Sequence, residues 1–196
     1  MAGRNYHFFA FLSRMKHITR WGLMRNTQPE NIQEHSLQVA VIAHALALIR
    51  NQHYGGDINA DRVAVLGMYH DSNEIFTGDL PTPIKYYNPE IKKAYKEVEN
   101  ISKKKLLSML PEELVDSYSE IIVDEREDAC EWKLVKAADR IAAYIKCVEE
   151  AKVGNREFNK ASDTIYKSIL EIGMPEVDYF MKNFMPSFFL TLDELE

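Results

Sequence analysis

The sequence has few of the residues that break helices and few that form covalent crosslinks. Its 196 residues include only 8 Gly and 7 Pro, whereas an all-β protein needs frequent turns built from these residues. Only two cysteines are present, Cys130 and Cys147, which is too few for a disulfide framework and typical of reduced thiols in a cytosolic protein. These scarcities favour a helical protein located in the cytoplasm.

Two further absences limit the partners of the chain. No run of about 18 apolar residues occurs, so we expect no membrane span. The net charge is −6 at pH 7, which argues against polymeric nucleic acid as a partner. Residues 1–29 contain no acidic residue, and the first is Glu30. A transit peptide would also lack acids, but an apolar stripe favours a core-facing helix instead; its members are Phe8, Phe11, Leu12, Met15 and Ile18.

Apolar residues recur at helical spacing along most of the chain, and the alternation typical of strands is nearly absent. Because no repeat and no Gly/Ser/Pro linker divides the chain, the sequence predicts an all-α fold with a single domain over residues 1–196. A loop is predicted at about residues 20–33 and another at 76–88, with a short helix after Pro111. The longer helices are predicted over residues 5–19, 31–51, 59–71, 89–109, 128–153, 158–172 and 175–184.

Imidazole and carboxylate groups lie where a core would prefer apolar side chains. His35 shares a helix face with apolar residues 4, 7, 11 and 14 positions later, His70 follows an apolar stripe with Asp71 beside it, and Asp139 lies among small residues. Buried carboxylates are costly, and a divalent cation between them would compensate their charge. Mixed nitrogen and oxygen ligands suit Zn, Mn, Fe, Co or Ni. Alternatively, each is a hydrogen-bonded core residue, with Asp139 paired to a neighbouring base.

The arrangement of His35, His70-Asp71 and Asp139 resembles the HD-domain superfamily of metal-dependent phosphohydrolases. The flanking residues resemble the bacterial 5′-deoxynucleotidases of that superfamily, from about residue 8 to the last helices. The motifs that carry this resemblance are Arg20-Trp21 before the first histidine, His70-Asp71-Ser72-Asn73-Glu74, and Asp79-Leu80-Pro81-Thr82.

The resemblance implies an all-α HD-domain fold and the hydrolysis of deoxyribonucleoside 5′-monophosphates to deoxynucleoside and phosphate, selective against ribonucleotides. It also implies a homodimer and one divalent metal ion per chain, held by His35, His70, Asp71 and Asp139. The six histidines all lie at or before position 70. The further downstream histidine ligands of dinuclear HD phosphodiesterases are therefore missing, which favours one ion, of Co, Mn, Zn, Ni or Fe.

Catalysis needs a cation beside the phosphate and a carboxyl group that moves protons. Arg20 can bind phosphate oxygens bidentately. Glu74 comes one helical turn after His70 and is the favoured general acid or base. Asp79 is expected to orient water or substrate, and the two roles can be exchanged. Asp71 and Asp139 are also candidates to contact the attacking water and the substrate.

Substrate binding is predicted at two places. Thr82 and the loop backbone after Asp79, in the segment that contains Leu80 and Pro81, offer neutral donors for phosphate. In one hypothesis Trp21, beside Arg20, forms a rigid wall against the sugar of the substrate. In the other hypothesis Trp21 is a residue of the hydrophobic core. A nucleoside triphosphate or pyrophosphorylated nucleotide as substrate would need more basic residues than Arg20 and its neighbours provide. A non-catalytic helical binding scaffold would have broken ligands, whereas all four are present.

Overall fold

The computed structural model describes residues 5–85, 87–123 and 129–195, and of Thr82 and Pro83 it describes the backbone only. These residues form helices and turns; the isolated antiparallel bridge between Thr19 and Asn31 is the sole β feature in these ranges. The predicted all-α class is therefore confirmed. The helices are α1 Phe8–Leu12, α2 Ile32–His53, α3 Ala60–Tyr69, α4 Glu74–Thr77, α5 Thr82–Lys85, α6 Pro89–Leu107, α7 Glu112–Ile122, α8 Cys130–Lys152, α9 Asn159–Leu170 and α10 Pro175–Asn183.

The helix bounds differ from the predictions at two places. The first helix is shorter than predicted, since α1 passes at Ser13 into a 3-10 helix, Ser13–His17. The Ser13 hydroxyl donates to the carbonyl of Ala10 at 2.9 Å, a bond that competes with the regular helix ladder. The loop predicted over residues 76–88 contains α5, because the Pro81 carbonyl accepts the N–H groups of Ile84 and Lys85 at 2.8 and 3.0 Å. The predicted start of the long helix at residue 128 lies outside the described residues.

Residues 1–23, 29–36 and 69–125 form one compact unit. It contains α1, the first turn of α2 and helices α4 to α7. Phe8 and Met15 of the predicted N-terminal stripe are buried, which confirms that this segment faces a core. The core of the unit comprises Phe8, Leu106, Leu107, Leu110 and Ile122. Every candidate site residue except Asp139 belongs to this unit.

Residues 24–28, 37–68 and 126–196 form the second compact unit. In it α3 and α2 approach closely, since a Cβ on Gly67 would lie 2.8 Å from the Cα of Ala40, so only glycine fits there. An apolar stripe at helical spacing on α8 is buried; its members are Leu134, Val135, Ala138, Ile141, Ala142 and Ile145. The assignment of residues 1–196 to one domain stays a prediction.

Of the described helices, α2 alone is long and apolar enough to cross a membrane. More than half of its apolar window is buried within the protein, as in the core helix of a soluble protein. The helix also begins with Gln33, Glu34 and His35 in its first turn. Its length and composition are therefore weak support for a membrane span.

Candidate active site

Two segments of the chain carry three of the four predicted cation ligands. His35 lies in the first turn of α2 and is completely buried. Helix α3 ends at Tyr69, and the chain turns through residues 70–73, with the Ser72 N–H bonded to the Tyr69 carbonyl at 3.0 Å. This turn presents His70 and Asp71 toward the His35 ring, whose centroid is 5.4 Å from that of His70.

The donor atoms of His35, His70 and Asp71 converge on one point, all within 4.8 Å of one another. Asp71 Oδ2 is 3.1 Å from His70 Nε2 and 3.9 Å from His35 Nε2. Ligands held about 2.0–2.2 Å from a tetrahedral zinc ion lie roughly 3–3.5 Å apart. The distance from Asp71 Oδ2 to His70 Nε2 is within this range and the distance to His35 Nε2 is slightly longer, so small side-chain rotations would let these residues hold a divalent cation. Asp139 lies half-buried on α8 in the second compact unit, and its place as a fourth ligand stays a prediction.

Arg20 lies at the edge of this donor cluster. Its Nη1 donates to Asp71 Oδ2 at 3.4 Å, and its Nε donates to Glu30 Oε2 at 3.1 Å. The backbone is fixed as well, because the Arg20 N–H bonds to the Glu30 carbonyl at 2.9 Å. The guanidinium therefore lies beside the predicted cation site, as a group that binds phosphate there would have to.

Trp21 has a φ of 57°, which is unusual for a bulky residue and costs conformational energy. Two carboxylates hold it: its backbone N–H donates to Asp79 Oδ2 at 3.3 Å, and its indole Nε1 donates to Glu30 Oε2 at 3.0 Å. The side chain is half-buried, unlike the fully enclosed core residues. This position favours the hypothesis of a wall at the site over that of a core residue.

Glu74 begins a separate short helix, because α3 ends at Tyr69 and α4 begins at Glu74 itself. The side chain is nonetheless buried, at 5% exposure, and its Oε2 has no hydrogen-bond partner among the described residues. Burial, together with the negative charges of Asp71 and Asp79, raises the pKa of Glu74 to about 10. Glu74 is thus protonated at neutral pH.

The two aspartates of the site differ in their preferred charge. Burial alone would raise the pKa of Asp71, but His70, Arg20 and His35 more than offset this effect and hold that pKa well below its usual range. Burial raises the pKa of Asp79, with Arg20 opposing and Asp71 adding to the shift. The site therefore combines an ionised carboxylate at the cation position with a protonated carboxyl at Glu74.

The loop after Asp79 contains the remaining candidates. Leu80 and Pro81 are half-buried, and Pro81 starts α5 through its carbonyl, as described above. The Thr82 side chain lies outside the described residues, so its contact with phosphate stays a prediction.

Sequence reasoning missed two charged residues. Glu30, noted only as the first acid of the chain, accepts from Arg20 and Trp21, and its Oε1 lies 3.9 Å from His35 Nδ1. The sequence does distinguish this position, because Glu30 is the first acid after 29 acid-free residues that include the Arg-Trp pair. Lys85 bonds to Glu99 at 2.8 Å and lies over the Tyr95 ring at 4.8 Å; no sequence pattern distinguishes it from other lysines.

The comparison with known proteins agrees with the resemblance. The family described as 5′-deoxynucleotidase YfbR-like matches residues 7–188. A 5′-deoxynucleotidase of Vibrio vulnificus is 56% identical over 96% of this chain and 97% of its own length. One from Photorhabdus laumondii is 53% identical, over 96% of each chain.

Solved structures share the fold. An HD-domain phosphohydrolase from Listeria innocua superposes with a TM-score of 0.82 at 25% identity, covering 93% of this chain and 88% of that one. The HD phosphohydrolase of cyanophage S-2L, bound to dA and one catalytic Zn²⁺ ion, gives a TM-score of 0.63 at 23% identity, covering 91% and 95%. With a family match over most of its length and relatives more than half identical to it, the chain belongs to the YfbR-like 5′-deoxynucleotidase family of HD-domain phosphohydrolases.

Proposed function

We propose that this chain hydrolyses deoxyribonucleoside 5′-monophosphates to deoxynucleoside and phosphate and discriminates against ribonucleotides. The observation that carries the proposal is the convergence of His35, His70 and Asp71 donor atoms within 4.8 Å, beside Arg20 and the buried acid Glu74. It is supported by relatives that share more than half of the residues over 96% of this chain and are named 5′-deoxynucleotidases.

His35, His70 and Asp71, with Asp139 as the fourth ligand, hold one divalent ion per chain in this proposal. Mixed imidazole and carboxylate donors suit Co, Mn, Zn, Ni or Fe. When bound, the cation polarises the phosphoryl group and offsets the charge of the phosphate. Side chains of the protein bind the phosphate, transfer the proton and discriminate between the sugars.

Arg20 binds the phosphate. Its bond to Glu30 fixes the guanidinium, whereas its contact with Asp71, at 3.4 Å, is long and can be exchanged for phosphate oxygens. A planar guanidinium matches two phosphate oxygens at once. Thr82 and the backbone N–H groups that follow Asp79 supply neutral donors for the phosphate.

Glu74 acts as the general acid. Because it is protonated at neutral pH, it can give its proton to the 5′-oxygen as the P–O bond breaks, so the deoxynucleoside leaves as a neutral alcohol. Asp79 orients the attacking water or the substrate, and Asp71 and Asp139 are the candidates to contact that water. Exchange of roles between Glu74 and Asp79 is the alternative that mutagenesis decides.

Trp21 provides the discrimination against ribose. A 2′-hydroxyl pressed against the indole would lose its water, and the indole offers only an N–H donor, which already bonds to Glu30. An unsatisfied buried hydroxyl costs roughly 1–3 kcal/mol, or about 5- to 150-fold in discrimination. A steric clash would add to this ratio.

The test is a phosphate-release assay on chelated protein reloaded with each divalent metal in turn. We expect phosphate from deoxyribonucleoside 5′-monophosphates only after reloading, and slower release from the ribonucleotides. Asp139→Ala should lose both metal retention and activity. Full phosphate release by thoroughly chelated protein would contradict the cation site, and release of pyrophosphate or triphosphate from nucleoside triphosphates would favour the alternative substrate.

We also propose that the chain forms a homodimer in the cytoplasm. The family resemblance supports the dimer. The two cysteines support a reducing compartment, since Cys130 and Cys147 form no disulfide with each other. Sedimentation equilibrium tests the dimer, and a fluorescent fusion expressed in the native cell tests the compartment.

A further inference from the structure

We propose that Glu30 is a positioning residue that holds the phosphate-binding Arg20, the sugar-facing Trp21 and the ligand His35 in one arrangement. The inference deepens the proposed function and rests on it for the roles of these three residues. Glu30 is not among the site residues that the sequence predicts, and the proposed role requires no contact between Glu30 and the substrate.

One carboxylate accepts hydrogen bonds from two of these residues and lies close to the third. Glu30 Oε2 accepts from Arg20 Nε at 3.1 Å and from Trp21 Nε1 at 3.0 Å. The other oxygen, Oε1, lies 3.9 Å from His35 Nδ1. The side chain is 12% exposed, so solvent competes little for these contacts and the charge-assisted bond to Arg20 is strong.

The backbone that carries Glu30 is fixed in the same place. Its carbonyl accepts the Arg20 N–H at 2.9 Å, and the Ile32 N–H bonds to the Ile18 carbonyl at 3.0 Å. Together with the bridge between Thr19 and Asn31, these bonds pair residues 18–20 with 30–32. Glu30 therefore extends from a rigid segment directly opposite the Arg-Trp pair, as a supporting residue must to hold a site within a fraction of an ångström.

Trp21 shows why such support is needed. Its positive φ is disfavoured for a bulky side chain, so the surrounding contacts must hold it there. Asp79 accepts a hydrogen bond from the backbone N–H, and Glu30 accepts one from the indole N–H. Because the indole nitrogen can only donate, the position of Glu30 Oε2 decides which way the ring faces.

At His35 the two ring nitrogens face different carboxylates: Nδ1 faces Glu30 and Nε2 faces Asp71. Glu30 therefore also places a negative charge close to the ring nitrogen of His35 that faces away from Asp71. Carboxylates in this position behind a ligating histidine strengthen cation binding.

Two substitutions separate these effects. Glu30→Ala removes both carboxylate oxygens. Glu30→Gln keeps an amide oxygen for the donors of Arg20 and Trp21 but removes the negative charge beside His35. The matched control is Glu34→Ala, which removes an exposed acid in the first turn of α2.

The decisive readout is the ratio of kcat/KM for a deoxyribonucleotide to that for the matching ribonucleotide. Because both substrates are measured on the same sample, partial unfolding does not change this ratio. Glu30→Ala should lower it at least about 5-fold and raise KM, since both the indole and the guanidinium lose their anchor. Glu30→Gln should keep the ratio and lower affinity for the divalent ion about 10- to 100-fold. Glu34→Ala should match the wild type in every measurement.

A wild-type ratio and KM in Glu30→Ala would overturn the proposal. Failure of the proposed function gives a different result, namely no deoxynucleotide hydrolysis by the wild type itself. In that case the two indole N–H resonances, of Trp21 and Trp132, still test the role of Glu30. The Trp21 resonance should move in Glu30→Ala and stay near its place in Glu30→Gln; an unmoved resonance in Glu30→Ala overturns the positioning role.

Discussion

Two buried glutamates, one in each compact unit, have opposite charge states at neutral pH. Glu150 on α8 is 1% exposed and accepts hydrogen bonds from the hydroxyl and N–H of Thr27, from Asn155 and from the ammonium of Lys146. Although burial opposes ionisation, these donors lower the pKa of Glu150 to about 2. Glu74 is 5% exposed, lies near Asp71 and Asp79, and its pKa is raised to about 10.

The difference shows that burial alone does not decide what a carboxyl group does. Around Glu150 the fold supplies donors and a cation, so the charge is satisfied and the residue stabilises the structure. Around Glu74 the fold supplies acids and leaves one carboxyl oxygen unbonded among the described residues. Such an environment lowers stability and keeps a proton available, which is typical of a catalytic acid.

The largest effect is expected for Glu74→Gln, which removes the proton that distinguishes Glu74 from Glu150. The amide replaces the protonated carboxyl with nearly the same shape but cannot give a proton. We expect kcat to fall by about 10²–10⁴-fold, while KM, bound metal and folding stay close to those of the wild type. Steady-state kinetics with metal analysis measure this. If Glu74→Gln has the kcat of the wild type, the general acid is Asp79 and not Glu74.

The matched change in the other unit is Glu150→Gln. It leaves the buried ammonium of Lys146, which is 4% exposed, without its counter-charge. Breaking a buried pair in this way costs about 3–5 kcal/mol. Denaturant unfolding should show this loss, while kcat per folded molecule should stay unchanged. If Glu150→Gln kept the stability of the wild type but had a reduced kcat, the contrast between a structural Glu150 and a catalytic Glu74 would be wrong.

The two acids also predict opposite responses to pH in chelated protein. Glu74 keeps its proton in the fold up to about pH 10, whereas the unfolded chain loses it near pH 4.3, so its ionisation favours unfolding as pH rises, by up to about 1.4 kcal/mol per pH unit. Glu150, with a pKa of about 2, contributes stability above pH 4.3 that is lost as pH falls toward 2.

Unfolding of both variants at pH 3, 5.5 and 8 measures these responses. Relative to the wild type, Glu74→Gln should become more stable from pH 5.5 to pH 8. The loss of unfolding free energy caused by Glu150→Gln should become smaller as the pH falls toward 3. Parallel stability curves for Glu74→Gln and the wild type would show that Glu74 is ionised in the fold.

The two tryptophans repeat the contrast between a site residue and a structural residue. Trp21→Ala should stay folded and lower the preference for deoxyribonucleotides by about 5- to 150-fold. Trp132 on α8 is 6% exposed, and Trp132→Ala should cost about 3–5 kcal/mol of stability with an unchanged substrate ratio. A stability loss at Trp21 of that size, without a change in the ratio, would make Trp21 a core residue.

Local patterns predicted the longer helices well. Helices α2, α6, α8, α9 and α10 lie within a few residues of the predicted ranges, because apolar spacing and caps act over short stretches of chain. The Asn88 side chain, for example, accepts the Ile91 N–H at 2.7 Å with Pro89 in the first turn. The grouping of His35 with His70-Asp71 was predicted only through the resemblance, since a spacing of 35 residues carries no geometry by itself.

The contacts between distant segments were not predictable. Nothing in the sequence near Trp21 indicates a positive φ, which arises from acceptors at positions 30 and 79. The predicted helix over residues 59–71 ended close to the observed end at Tyr69, but no Gly or Pro between His70 and Thr77 indicates that a new helix begins at Glu74. The break after Tyr69 reorients Glu74 and depends on the path of the chain in space, which periodicity does not contain.

The bonds to Glu150 also have a consequence for the irregular segment 24–28. Arg25 is exposed there, and an arginine in a loop is an obvious trypsin site. Yet the N–H of Arg25 bonds to Glu157 at 3.2 Å, its carbonyl accepts from Asn155 at 2.8 Å, and Thr27 is held by Glu150. A protease must draw several residues into its cleft in extended form, so cleavage requires these bonds to open together. Native protein should therefore resist nicking at Arg25, and the rate of that cut would report how often the segment detaches.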